Sequence, residues 1–86
     1  MNNVKICQNK RLVQYIVEHG SVTSAEAFRE LGIMRTASRV HDLICMGVPI
    51  DGEMIEVVNR FGEKVRVKKY SINGEIPEWA QEWLEV

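Results

Sequence analysis

Apolar residues recur at helical intervals through the first half of the chain and at strand-like alternation in the second half. Leu12, Val13, Ile16 and Val17 stand three and four apart, a stripe that predicts an amphipathic helix through LVQYIVEH. Asn9 or Gln8 can cap this helix, and Gly20 can end it in a left-handed conformation. Ser21 and Val22 form a brief extended piece. Thr23, followed three residues later by Glu26, is a capping-box signature, so a second helix is expected from about Ser24. Ala27, Phe28 and Leu31 should face inward, Gly32 should end the helix, and Ile33 should plug the corner. A third helix is predicted from near Met34 through RTASRVHDLICM. At about 100° per residue, Ile33, Ala37, Val40 and Ile44 fall on one side, with Arg35, Ser38, Arg39 and Asp42 opposite. Gly47 and Pro49 stop it.

The period then changes. Ile50 to Gly52 read as a turn, and Met54–Asn59 and Lys64–Ile72 have the β-branched composition of strands around an Arg60-Phe61-Gly62-Glu63 tip. Val65 and Val67 alternate with Lys64, Arg66 and Lys68, which predicts one buried and one cationic face. Lys69-Tyr70 interrupts that alternation, so a bulge or a strand end is expected there. After Asn73-Gly74, Pro77 opens a short last helix with Ile76, Trp79, Ala80 and Trp83 on one face. A helix pair joined at Leu31-Gly32-Ile33 and followed by a basic hairpin is the plan of a winged helix-turn-helix. The expected class is α+β, with a three-helix core, a two-stranded β-hairpin wing and a short C-terminal helix. The domain is placed at residues 9–72 and an acidic helical extension at 73–86.

Length and charge sharpen this picture. The chain of 86 residues is one domain at most, with no second domain to bind an effector. Its two cysteines make no disulfide framework, which points to a reducing, cytoplasmic setting. No apolar run approaches membrane-spanning length, and MNNVKICQNKR is not a signal peptide. The net charge of −1 is segregated: residues 1–72 carry eleven Lys and Arg against eight Asp and Glu, while Glu75, Glu78, Glu82 and Glu85 lie beyond. The body is mildly basic, so phosphate neutralisation alone would bind nucleic acid weakly.

Arg35 and Arg39, one turn apart, are the candidate base readers, because a guanidinium can bond both acceptors of guanine. Against this, Arg39 can simply pair with Asp42. Thr36 and Ser38 are further candidates for phosphate or base edges. Arg60, Lys64, Arg66 and Lys68 read as phosphate or minor-groove contacts from the wing, or else as charges that keep an edge strand soluble. Thr23 and Ser24 open a helix whose N–H groups could hold a phosphate, although the capping box explains them without one. His41 and Cys45, at i and i+4, have the spacing of two zinc ligands, but with Cys7 and His19 they form no ligand pattern. A half-buried His and Cys is the reading preferred, with no metal and no cofactor. No phosphate loop, nucleophile elbow or triad geometry is present, so the chain reads as a non-enzyme without a small-molecule substrate. Trp79 and Trp83 either cover the core or join two copies in a homodimer.

From Ser21 to Tyr70 the chain resembles a family of small winged-helix proteins encoded by bacteriophages and prophages. The resemblance lies in SVT with Glu26-Ala27, ELGI at Glu30–Ile33, Arg35, SRVHDL at Ser38–Leu43, GVPI at Gly47–Ile50, and V-x-N-R-F-G-x-K-V-R from Val57 to Arg66. It implies double-stranded DNA as partner and carries Arg35, Arg39, Arg60, Lys64 and Arg66 as contact candidates. The expected role is transcriptional regulation, or an accessory part in excision or replication. A protein-binding adaptor built on the same fold is the competing expectation, favoured by the near-neutral charge and acidic tail. RNA binding is a weaker third, because no aromatic platform for stacking bases is apparent.

Overall fold

Helix α1 covers Asn3–His19 and buries Leu12, Val13 and Ile16, while Val17 is left half exposed. The computed structural model describes residues 3–84, with side chains from residue 7 onward. Asn9 does not cap this helix, nor does Gln8. The helix begins a turn and a half earlier, and Asn9 lies inside it, buried on the same face as Leu12, Val13 and Ile16. Gly20 (φ 92°) ends the helix, its N–H donating to the Ile16 carbonyl at 2.6 Å.

A short strand β1 (Val22–Thr23) leads into α2 (Ser24–Leu31). The capping box is complete: the Glu26 N–H donates to Thr23 Oγ1, and the Thr23 N–H donates to Glu26 Oε1 at 2.9 Å. Gly32, at φ 70°, takes the left-handed cap that a side chain would resist, and Ile33 is fully buried in the corner. Ala27 is buried and Leu31 partly so. Phe28, however, is 59% exposed, because the inward stripe of this two-turn helix is only wide enough for its neighbours.

Helix α3 (Thr36–Cys45) packs against α1 and α2, and its Val40 and Leu43 join the core. Strands β2 (Ile50–Val58) and β3 (Lys64–Ile72) pair antiparallel, and β1 adds to β3, giving the order β1-β3-β2. The register runs unbroken from Ile50↔Ile72 to Val58↔Lys64. Residues 50–52 are therefore strand rather than turn, and no bulge interrupts Lys69-Tyr70. Tyr70 stays in the ladder because it lies opposite Gly52, so the ring has no side chain across from it, and its own ring seals the core. Asn73 Nδ2 donates to Asp51 Oδ2 at 2.8 Å and closes the base of the ribbon.

Helix α4 (Glu78–Gln81) leads into a 3-10 turn (Glu82–Leu84) that folds back on α1. Ala80 is buried, Ile76, Trp83 and Leu84 pack against the core, and Gln14 Nε2 donates to the Trp83 carbonyl at 2.5 Å. Glu85 of the acidic tail lies outside the described residues. Among the described residues no helix is long and apolar enough to cross a membrane.

Candidate nucleic-acid interface

The inward face of α3 consists of Thr36, Arg39, Val40 and Leu43. This is about one residue step, roughly 100°, away from the expected face. Ile33 to Arg35 precede the helix instead of starting it, so a phase counted from Ile33 is wrong. Thr36 is 2% exposed and Arg39 7%, which corrects the expectation that Arg39 points outward. Its guanidinium pairs with Asp42 at 3.2 Å inside the packed side. Arg35 sits at the helix N-cap, exposed, and makes no side-chain cap bond. Ser38 is half-buried.

The same rotation turns other residues outward. Ala37, His41, Ile44 and Cys45 form the exposed ridge, continuing from exposed Met34. His41 and Cys45 are thus not half-buried, and Cys45 Sγ lies 3.5 Å from His41 Nε2. The signal that identifies this face lies within the helix: Val40 and Leu43, three apart, mark the inward stripe without reference to Ile33.

On the ribbon, Lys64, Arg66 and Lys68 alternate onto one face, all exposed, and Tyr70 and Ile72 continue that face into the core. The cationic side is therefore the side that meets α3. A cleft of about 220 Å³ joins them, lined by Ala37, His41 and Ile44 from the helix and Gly52, Lys68 and Tyr70 from the sheet. The Lys68 ammonium lies over the Tyr70 ring, 5.9 Å from its centroid. A Cβ on Gly52 would overlap the Lys68 stem, so glycine there makes room for a lysine laid along the sheet. None of Arg60, Lys64, Arg66 and Lys68 enters an ion pair among the described residues.

The opposite face carries Ile55, Val57, Val65 and Val67. It is not buried as the alternation suggested: all four are partly exposed, because the ribbon extends beyond the core. The tip is organised by Asn59, whose Oδ1 accepts from the Phe61 and Glu63 N–H groups at 2.9 and 3.0 Å. Gly62 (φ 80°) completes the turn and leaves Arg60 and Phe61 in solvent. At the start of α2 the Thr23 side chain is committed to the capping box, which accounts for it without a phosphate.

Arg35, Ser38, Arg60, Lys64, Arg66 and Lys68 are thus the accessible or partly accessible members of the expected set, and Thr36 and Arg39 are internal. No curated protein matches the sequence. The model of a family described as a winged helix-turn-helix domain matches residues 7–75, from the second turn of α1 to just past the ribbon. That span covers most of the chain and takes in most of α1, all of α2 and α3, and the three-stranded antiparallel sheet. The chain belongs to the winged helix-turn-helix domain family, a membership that suggests DNA binding.

Proposed function

We propose that the protein binds duplex DNA by laying the exposed ridge of α3 in a groove while Lys64, Arg66 and Lys68 meet the flanking phosphates. The observation that carries this reading is the exposed cationic row on the sheet face that borders α3, separated from the helix ridge only by the cleft at Lys68 and Tyr70. That row is in no ion pair among the described residues, although Glu56 stands across the ladder from Arg66. Arg35 stands free at the entry of the helix, and Arg60 at the tip of the ribbon. The ridge itself offers Ala37, His41 and Ile44, so contacts to thymine methyl groups and a single imidazole hydrogen bond replace paired arginines as base readers. The biological role best matched to a small domain of this kind is control of transcription, or assistance in excision or replication, in a phage or prophage setting. One copy makes few contacts, so tight operator binding calls for two copies on a two-fold repeated site. Of the two tryptophans only Trp79, 40% exposed, is available for a contact between copies, since Trp83 is engaged by its own chain.

Fluorescence anisotropy on genomic duplex fragments over a salt series tests the reading. Replacing Lys64, Arg66 and Lys68 together by alanine should lower the slope of log K against log salt by about 2–3, with the fold unchanged. An unchanged slope would remove the wing from the interface. The adaptor reading is supported by the partly exposed apolar face at Ile55, Val57, Val65 and Val67, and it gains if the native protein binds no duplex even at low salt.

A further inference from the structure

On the exposed ridge of α3, His41 and Cys45 stand one turn apart with Sγ 3.5 Å from Nε2. Both side chains are exposed, and Cys45 is free. Zinc bound at about 2.0–2.1 Å to nitrogen and about 2.3 Å to sulfur, at a tetrahedral angle of about 109°, spans an N···S edge of about 3.6 Å. The separation already present, also that of a thiol–imidazole hydrogen bond, is the separation of two ligands on one such ion, so the two donor atoms need only turn toward a shared ion without moving the backbone. A helix supplies this spacing readily, because residues i and i+4 lie one above the other on one face. We propose that His41 and Cys45 form a bidentate site for a thiophilic divalent cation of the zinc class, and that an ion bound there competes with DNA. The competition rests on the DNA-binding reading above; the site does not.

On binding, Nε2 and the thiolate each donate an electron pair to the ion. The Cys45 thiol proton passes to solvent, so one proton is released per ion and no electron is transferred. No group of three or more His, Cys, Asp and Glu that could hold a metal occurs among the described residues. Two coordination positions are therefore left to water, the arrangement of an exchangeable ion rather than of one that holds a fold together. The imidazole cannot both coordinate through Nε2 and offer that nitrogen to a base edge. Ion and duplex thus exclude one another at His41, and by linkage each weakens the other by the same factor.

Cobalt(II), which replaces zinc at such sites and reports thiolate ligation by a near-ultraviolet charge-transfer band, is the probe. Titration of the full chain without DNA should raise the band. Cys45→Ser should abolish it, Cys7→Ser should keep it, and His41→Ala should weaken cobalt binding by more than the about 10–100-fold that loss of an outer-sphere partner costs. Both positions are exposed, and an unchanged circular dichroism spectrum verifies that the variants fold. No band at cobalt excess, a band surviving in Cys45→Ser, or a band lost in Cys7→Ser would overturn the site. In a second arm, zinc should raise the half-saturating protein concentration in a duplex shift for the native chain but not for Cys45→Ser. Zinc without effect on a shift that the metal-free protein does give would overturn the competition. A metal-free protein that shifts no duplex would overturn the DNA reading instead, and the cobalt spectrum would still decide the site.

Discussion

Arg39 brings a guanidinium into the packed side of α3, where its ion-pair partner Asp42 is only partly shielded and its own Nε is buried without a hydrogen-bond partner. Thr36 Oγ1 on the same helix and Asn9 Oδ1 on the adjoining α1 are buried in the same unpartnered way. Polar groups in such a place cost stability, and removing one half of a pair costs more than replacing the charge by an apolar group of similar length. Asp42→Ala should therefore lower stability by about 1–3 kcal/mol, read from urea unfolding. Arg39→Met should be neutral or stabilising and leave duplex affinity unchanged; a tenfold loss of affinity in Arg39→Met would return the side chain to the interface. The sequence could not place this residue. An arginine is expected outside unless it is paired, and the pairing with Asp42 is compatible with either face. The capping residues were a different case, since Thr23 and Glu26 interact over three residues and need nothing distant to define them.

At the scale of elements, the glycine-marked helix ends were legible, whereas the start of α1 and the phase of α3 were not. Gly20, Gly32 and Gly47 all take positive φ at the ends of their helices, as their positions suggested. The strands themselves were also legible, although β2 begins four residues earlier than its composition indicated, because Gly52 reads as a turn residue until Tyr70 is seen across from it. The phase of α3 was lost at one point: Ile33 belongs to the corner, and counting through the non-helical residues after it turned the candidate reader face by a residue step. A half-buried His41 and Cys45 follow from that misplaced phase, whereas both side chains are exposed. Helix α2 is short enough for its cap to matter to the whole domain. Thr23→Ala should cost about 1 kcal/mol while Thr23→Ser costs a few tenths at most, compared by urea midpoints. Equal losses in the two would mean that the methyl group, not the hydroxyl, is what α2 requires.

Taken whole, the molecule closes its core by returning the C-terminal segment to α1. Trp79 and Trp83 meet edge to face, with ring centroids 5.3 Å apart, but only Trp83 packs on the core and has its carbonyl held by Gln14. Trp83→Ala should lower unfolding stability by about 1–3 kcal/mol, toward the low side of buried aromatic truncations because the ring is partly exposed. Trp79→Ala should lose less than half as much, and the reverse order would place Trp79 in the fold and Trp83 at a contact. The segregation of charge was legible in the sequence; the side of the sheet that the cations occupy was not, because it depends on which strand face α3 meets. One consequence follows from the sheet order β1-β3-β2, which leaves β2 with an outer rim of nine residues that no other strand covers among the described residues. The exposed side chains of Asp51, Glu53 and Glu56 flank that rim with charge of one sign, a device that disfavours the addition of a second copy's strand. The ribbon is in this way protected from polymerising through its own unpaired amides.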